Sequence, residues 1–562
     1  MSVSAPQVFF YHHTTIHTHT HHDKMSEATV EGFLAIAHHF HLGRLQTEAS
    51  HPVTARLSQQ CSTPETLPDG LRALQAVDVL ALEAMLRDNI PEQTEVLARE
   101  IHDTFTKGKK VVCEGCGATG RLSLSLEVFA REGMVEEVEY QDKVIGFMAG
   151  GDAAFIRSIE AFEDKVEYGH KQLHAVNFED GDLLLAITEG GETPFVIAAC
   201  EEAVRVSPSR DPYFLYCNPD DILVQVAERS KRVLENPRIK KLNLTVGPMS
   251  ITGSTRMQAT TVQVLIAGLA IRHHAHPERI RPSLEAILAI CKALPYGDLA
   301  PFTSAEAEMY ANKEYFLYET DYFSVTVMTD TTERAPTFSM PPFESYNNPD
   351  ELSSQVYLTL PGVKGPKEGW ERLLRRPIRP LEWEDTSART GLAAILGYDI
   401  SESIAMKRQN RLGAERTAHR AIVSLIDSAI VLELPHKPLT VRFDLPKEIA
   451  DDKLLVNVAA KMLLNAHSTA VMGVLKRYEG NVMTWVRPSN NKLIDRAARY
   501  ITLLLERRWA AQGASAEAIA AASPSFEEIC REVYRLRAIV ATDQPIVLLV
   551  VDDFVKRLPQ SE

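Results

Sequence analysis

The sequence predicts an α/β fold: two parallel-sheet units in tandem, each with helices on both faces, followed by a small helical cap. Three observations predict it. Strand-like and helix-like stretches alternate from residue 109 to 271. A second group of strand-like runs leads into a long apolar helix at 453–476. The 562-residue chain, 45% hydrophobic and 24% charged, is long enough to bury more than one core.

Residues 1–27 are expected to be a flexible tail. Its stretch YHHTTIHTHTHH (11–22) would line His17, His19 and His21 along one face of a strand, where imidazoles bind metal. No apolar pattern orders the segment, so no metal site is assigned to it. A helical stretch near 28–43 and helices within 70–106 follow, with apolar residues at three- and four-residue spacing.

The strands KKVVCEG (109–115), KVIGFMAG (143–150), DLLLAIT (182–188) and PYFLYCN (212–218) then alternate with helical stretches near 121–132, 152–163 and 193–205. Repeated β-α of this kind forms a parallel sheet, whose ligands sit at the C-terminal strand ends. A fifth unit, 246–271, opens a long apolar helix with a polar loop. The prolines of 336–380 mark a boundary zone. Beyond it, 428–435 and 439–445 read as strands and 453–476 as a buried helix. The Ala- and Ser-rich segment 509–525 sets off a tail whose run PIVLLVV (545–551) fits a strand or a helix. The resulting division is 28–300, 301–500 and a cap at 501–562.

A net charge of -15 argues against nucleic acid and anionic membrane as partners, since both need a cationic face. No apolar run reaches the roughly 20 residues that cross a bilayer, and no leader pattern opens the chain, which predicts a cytoplasmic protein. The seven cysteines fit reduced thiols; Cys113 and Cys116 form C-x-x-C, but Cys113 lies in a strand rather than at a helix start.

The loop VVCEGCGATGRL (111–122) carries Gly115, Gly117 and Gly120 as G-x-G-x-x-G, the layout of a dinucleotide turn. A dinucleotide fold also wants an acidic residue at the end of the second strand. Asp152 comes late for that role and falls where a helix-starting carboxylate would sit. The third strand ends in Thr188, Glu189, Gly190, Gly191 and Thr193, and the fifth unit presents Ser254, Thr255 and Arg256. Hydroxyls, glycines and free N–H groups at converging helix starts fit a compact phosphate, although Thr and Ser also cap their own helices. In AAFIRSIEAFED (153–164), Phe155, Ile156, Ile159 and Phe162 form a helical stripe that includes Glu163. Either Glu163 is pushed toward the core, which raises its pKa, or the stripe ends and Glu163 is solvated.

The runs GCGATGRL, AGGDAAFIRSIEAFED, ITEGGETPFVIAAC, CNPDD and GSTRMQATT resemble, in order and spacing, the sugar isomerase (SIS) domain of N-acetylmuramic acid 6-phosphate etherases and glucokinase regulatory proteins. LQTEASHPVTARLSQ (45–59) looks like the family's N-terminal segment, and 463–493 looks like the end of a second SIS domain. The resemblance implies two tandem flavodoxin-like SIS sandwiches. It implies a sugar-phosphate cradle from Gly117, Ala118, Thr119, Gly120, Arg121, Thr188, Glu189, Gly190, Gly191, Thr193, Ser254, Thr255 and Arg256. Glu163 matches a glutamate that touches the sugar in regulatory proteins and acts as acid or base in etherases. Lys492 resembles a lysine that reaches the phosphate from the second domain.

Four positions depart from the family. Ala118 and Thr119 stand where it has Thr-Ser, Phe129 where etherases carry a second glutamate, and Gln258 where it has lysine. The implied function is a regulatory protein that binds a hexose or amino-sugar phosphate and signals to a partner such as a sugar kinase. The alternative is an etherase or an aldose–ketose isomerase with Glu163 as base. No cofactor is implied, and two domains able to pair internally predict a monomer or a weak homodimer.

Overall fold

The computed structural model describes residues 29–37, 42–87, 89–159, 162–413, 416–488, 491–540 and 544–557; the histidine-rich stretch lies outside them. Helices α1 (Leu67–Ala84) and α2 (Ile90–Thr106) lead into β1 (Val111–Gly115), α3 (Ala118–Phe129), β2 (Val144–Met148), α4 (Val166–Ala175), β3 (Leu183–Ile187), α5 (Pro194–Val206), β4 (Tyr213–Tyr216), β5 (Lys240–Asn243) and α6 (Gln258–Arg272). The first sheet is wholly parallel, in the order β2-β1-β3-β4-β5.

Every residue of β1 and β3 is buried, so β3 is continuously apolar rather than alternating and β1 is so except at Glu114. The fifth strand, KKLN, carries no such signature because it is an edge strand. Its Lys240 reaches out to Glu100, at 2.6 and 2.7 Å from the two carboxylate oxygens.

The helix expected over 152–163 is cut to one turn, Ala153–Ile156. Arg157 is extended and pairs with Glu351, and Ile159 folds back over Gly150. Gly150 has φ +91°, and a Cβ there would lie 3.0 Å from Ile159. The helical stripe that carried the argument for a core-facing Glu163 therefore does not exist.

The second unit adds α7 (Ala300–Ala311), β6 (Tyr315–Glu319), α8 (Ser324–Phe338), β7 (Val356–Thr359), β8 (Ala418–Ile426), β9 (Ala429–Leu434), β10 (Leu439–Asp444) and α9 (Lys453–Val474). Its sheet, ordered β10-β9-β8-β6-β7, is mixed: β6 runs parallel to β7 and β8, whereas β8, β9 and β10 form an antiparallel meander. Asp427 and Ser428, both at positive φ, make the two-residue hairpin between β8 and β9. The prolines read as a boundary lie inside this unit: Pro336 is in the last turn of α8, and β7 follows.

Helices α8 and α9 pack on α3 and α6, joining the two units. Buried ion pairs cross the seam, among them Arg256 to Asp330 at 3.1 Å and Arg376 to Asp152 at 2.7 Å. The cap consists of α10 (Asn491–Ala511), α11 (Phe526–Arg537) and α12 (Ile546–Phe554), which pack on one another; the run at 545–551 is thus helical. A further short helix, Ala516–Ala522, occupies the Ala- and Ser-rich segment. Among the described residues, no helix is long and apolar enough to cross a membrane.

Candidate functional site

The strand order of the first sheet reverses between β1 and β3, and a cavity of about 290 Å³ opens at the C-terminal ends of these two strands. It is lined from the β1 loop by Cys116, Gly117 and Ala118, from the β3 loop by Glu189, Gly190, Glu192 and Thr193, and by Gly253 and Thr255 of the loop before α6. Glu163, Asp164, Glu48 and Glu333 complete the wall, and Lys492 and Arg496 enter it one turn apart on α10.

The glycines serve close packing. A Cβ on Gly120 would come within 2.3 Å of the Met148 Cβ, and one on Gly115 within 2.6 Å of the Thr119 hydroxyl. Gly117 holds φ +58° at the start of α3, a conformation that suits glycine. The dinucleotide reading loses its acidic partner here: both Asp152 oxygens are taken by Arg376, at 2.7 and 2.8 Å, and one also accepts the Arg379 N–H.

The expected hydroxyls are largely occupied. Thr119 Oγ1 donates to the Cys116 carbonyl at 2.9 Å and accepts the Cys116 N–H at 3.0 Å. Thr188 Oγ1 bonds Thr193 Oγ1 at 3.1 Å and accepts the Gly191 N–H. Arg121 is buried behind the wall, where it pairs with Glu333 and donates to Phe155 O at 3.0 Å. Thr119, Gly120, Arg121, Thr188 and Gly191 thus shape the loops from behind. Gly117, Ala118, Glu163, Glu189, Gly190, Thr193, Thr255 and Lys492 face the cavity. Ser254 and Arg256 face an adjoining cavity instead.

Lys492 Nζ lies 2.8 Å from Glu192 Oε1 and 3.4 Å from Glu163 Oε1. Burial opposes its charge, but these two carboxylates hold its pKa above the usual lysine range, and Lys492 in turn keeps Glu192 ionised against burial. Burial would likewise raise Glu48, yet Arg496 and Arg499 beside it drive its carboxyl down to about 2. Glu189 is different. Burial pushes its carboxyl up to about 8, with a further rise from Glu333. The Cys116 thiol is pushed well up by burial and by Glu163 and Glu189, and Cys113 is likewise raised by burial.

Glu48, Glu192, Glu333 and Arg496 were not singled out from the sequence. Arg496 stands four residues after Lys492, a spacing that places both on one helix face and is readable without a structure. Glu192 lies inside the β3 loop motif, hidden by the glycines around it.

Residues 92–204 match the family model for the glucokinase regulatory protein N-terminal SIS domain. The N-acetylmuramic acid 6-phosphate etherase 1 of Vibrio cholerae is 31% identical over 228 residues, which cover 41% of this chain and 68% of the relative. The etherase of Lactococcus lactis is 31% identical over 228 residues, covering 41% and 69%. The chain belongs to the SIS domain family. The etherase 1 of Bacillus licheniformis, 29% identical over 229 residues, again covers 41% of the chain and 68% of the relative, so this SIS protein matches about two thirds of each etherase's length. Phe129 is buried in the core. Its neighbour Glu127 is held by Arg376, Arg379 and the Gly146 N–H, away from the cavity.

Proposed function

We propose that this SIS protein binds a hexose or amino-sugar phosphate in the cleft and acts on it by proton transfer, as an etherase-like lyase or a sugar-phosphate isomerase. The carrying observation is that two carboxyl groups, Glu163 beside Lys492 and the raised Glu189, line one cavity at the topological switch point. Glu163 is the base that takes the proton from the carbon next to the sugar carbonyl. Glu189, protonated below about pH 8, is the acid that Phe129 does not supply. In isomerisation the proton returns to the neighbouring carbon; in elimination the C–O ether bond breaks and Glu189 protonates the leaving oxygen. The etherase relatives and the joint presence of both carboxyls support this reading.

A second reading, a sensor of sugar phosphate that signals to a sugar kinase, is favoured by the match to the regulatory-protein domain model and by the apolar Phe129. One experiment separates the two. Candidate sugar phosphates, N-acetylmuramic acid 6-phosphate among them, are incubated with the protein in deuterium oxide and followed by NMR. Deuterium entering the sugar, or cleavage of its ether, establishes the enzyme; a ligand that raises the melting temperature and is returned without deuterium establishes the sensor.

A further inference from the structure

Glu163 stands on neither helix nor strand. Its segment runs between the turn Ala153–Ile156 and α4, and within the first unit the Glu163 carbonyl accepts the Phe195 N–H of α5 at 3.1 Å. Further holds on this loop come from the second unit. Glu351 pairs with Arg157 at 2.8 Å, Arg376 takes both Asp152 oxygens, and Leu381 fills the space over Gly151, where a Cβ would meet the Leu381 Cγ at 2.9 Å. Residues 376–385 thus form a strap between β7 and β8 that crosses onto the first unit, where Leu381 and Trp383 pack into the core.

The last hold adjoins Glu163. Phe162, 1% exposed, forms a triangle of rings with Tyr168 of α4 and Trp383 of the strap. The centroids of Phe162 and Tyr168 are 4.5 Å apart and those of Tyr168 and Trp383 5.5 Å, and Trp383 lies 6.3 Å from Phe162 with the planes 19° from parallel. Trp383 is itself fixed. Its carbonyl accepts the Thr386 and Ser387 N–H groups at 3.0 and 2.8 Å, Lys171 Nζ lies 5.4 Å over its ring, and Asp385 accepts the Tyr168 hydroxyl. Aromatic contacts have preferred geometries, so they orient the Phe162 ring as well as burying it.

We propose that Trp383 is the positioning residue of Glu163: through Phe162 it fixes the loop that carries the carboxylate, so that a base of the first unit is held in place by the second. The assignment rests on the reading of Glu163 as base. A carboxylate on an irregular loop reaches a substrate proton reproducibly only if the loop itself is fixed, and a displacement of about 1 Å costs on the order of a hundredfold in rate. Trp383 is not among the described residues that line the cavity, whereas Phe162 and Glu163 are. Its effect therefore falls on where Glu163 sits and not on the surface that the ligand meets.

The test compares the wild type with Trp383→Ala, Trp383→Phe, Glu163→Gln and the double variant Trp383→Ala/Glu163→Gln, with melting temperature as the folding control. If Trp383→Ala loses its cooperative transition, Trp383→Leu, which keeps an apolar side chain at the site, takes its place. Amide hydrogen exchange comes first and needs no ligand. Phe195 lies in the first turn of α5, where an N–H has no partner within the helix, so its protection reports the bond to the Glu163 carbonyl. Trp383→Ala should speed exchange at Phe195 and across 162–165 by about tenfold or more while β3 stays protected, and Trp383→Phe should retain the protection. Turnover is then followed by NMR in deuterium oxide with glucose 6-phosphate, glucosamine 6-phosphate and N-acetylmuramic acid 6-phosphate. Trp383→Ala should lower kcat by about 10–100-fold with KM moved less than about threefold, Trp383→Phe should recover most of it, and Trp383→Ala should cost nothing further in the Glu163→Gln background. Unchanged exchange, a turnover unchanged or lost only through KM, or a loss that adds in full to that of Glu163→Gln overturns the assignment. Faster exchange in Trp383→Ala, with none of the three sugar phosphates turned over by the wild type, upholds the positioning and defeats the reading of Glu163 as base instead.

Discussion

Lys492, on the first turn of α10, holds Glu192 of the β3 loop at 2.8 Å across 300 residues of sequence. The contact ties the cap to the first sheet at the cavity itself. Removing the cation takes away the partner that keeps the buried Glu192 ionised, with one of its oxygens already unpartnered. Lys492 is about a third exposed, so solvent screens part of the pair. Lys492→Met is expected to lower stability by about 1–3 kcal/mol in urea unfolding. Adding Glu192→Gln should restore most of that stability, a coupling that a double-mutant cycle measures directly, while ligand affinity stays weak in both.

Glu163 is part-exposed at the cavity and touches Lys492 rather than a core. The proposed role of Glu163 as base is proton transfer, so Glu163→Gln should cut turnover by about 10²–10⁴-fold and change ligand affinity far less. A variant with unaltered turnover removes Glu163 from the chemistry.

The first sheet was legible because four of its strands are largely buried and therefore mostly apolar, as in LLLAI of β3, with Glu114 of β1 the exception. The fifth was not, since KKLN shows the polarity of an edge. The converging loops were readable from glycines and hydroxyls after β1, after β3 and before α6, and Lys492 from its motif. What could not be read was which side chains the loops consume internally. Thr119 and Thr188 carry the hydroxyls a phosphate wants, yet each closes its own turn. Glu163 was reached by a helical spacing that the chain abandons after Ile156, because Gly150 admits Ile159 and Arg157 is drawn to Glu351. Of the second sheet, β9 and β10 were read as strands, whereas β6 to β8 escaped for another reason: they are separated by long connections, and pairing over such distances leaves no local period.

Glu189 predicts a pH dependence with a definite sign. Its carboxyl is protonated below about pH 8 in the folded protein and loses its proton above. A step that needs Glu189 as an acid is therefore fully available at neutral pH and falls as pH rises through about 8. The pH profile of kcat/KM, or of deuterium incorporation, should show that alkaline limb. Glu189→Gln should lower the rate and abolish the limb, whereas a limb that persists in the variant belongs to another group.

Glu114 lies on β1 between Phe147 and Ala186 of the neighbouring strands, fully buried, with neither carboxyl oxygen hydrogen-bonded. Burial pushes its pKa well above the usual range, so the folded chain keeps it neutral. The unfolded chain ionises at about pH 4.3, and above that pH the folded state carries a growing penalty that is absent in more acid solution. Glu114→Leu keeps the side-chain size and removes both the unmade hydrogen bonds and the titration. Stability should rise by at least about 1 kcal/mol at neutral pH, and the gain should shrink as the solution is taken below about pH 4. Urea unfolding of the two proteins across that range decides the matter: a destabilised variant, or a gain independent of pH, would show that the Glu114 carboxyl has a native partner and is no burden on the sheet that carries the site.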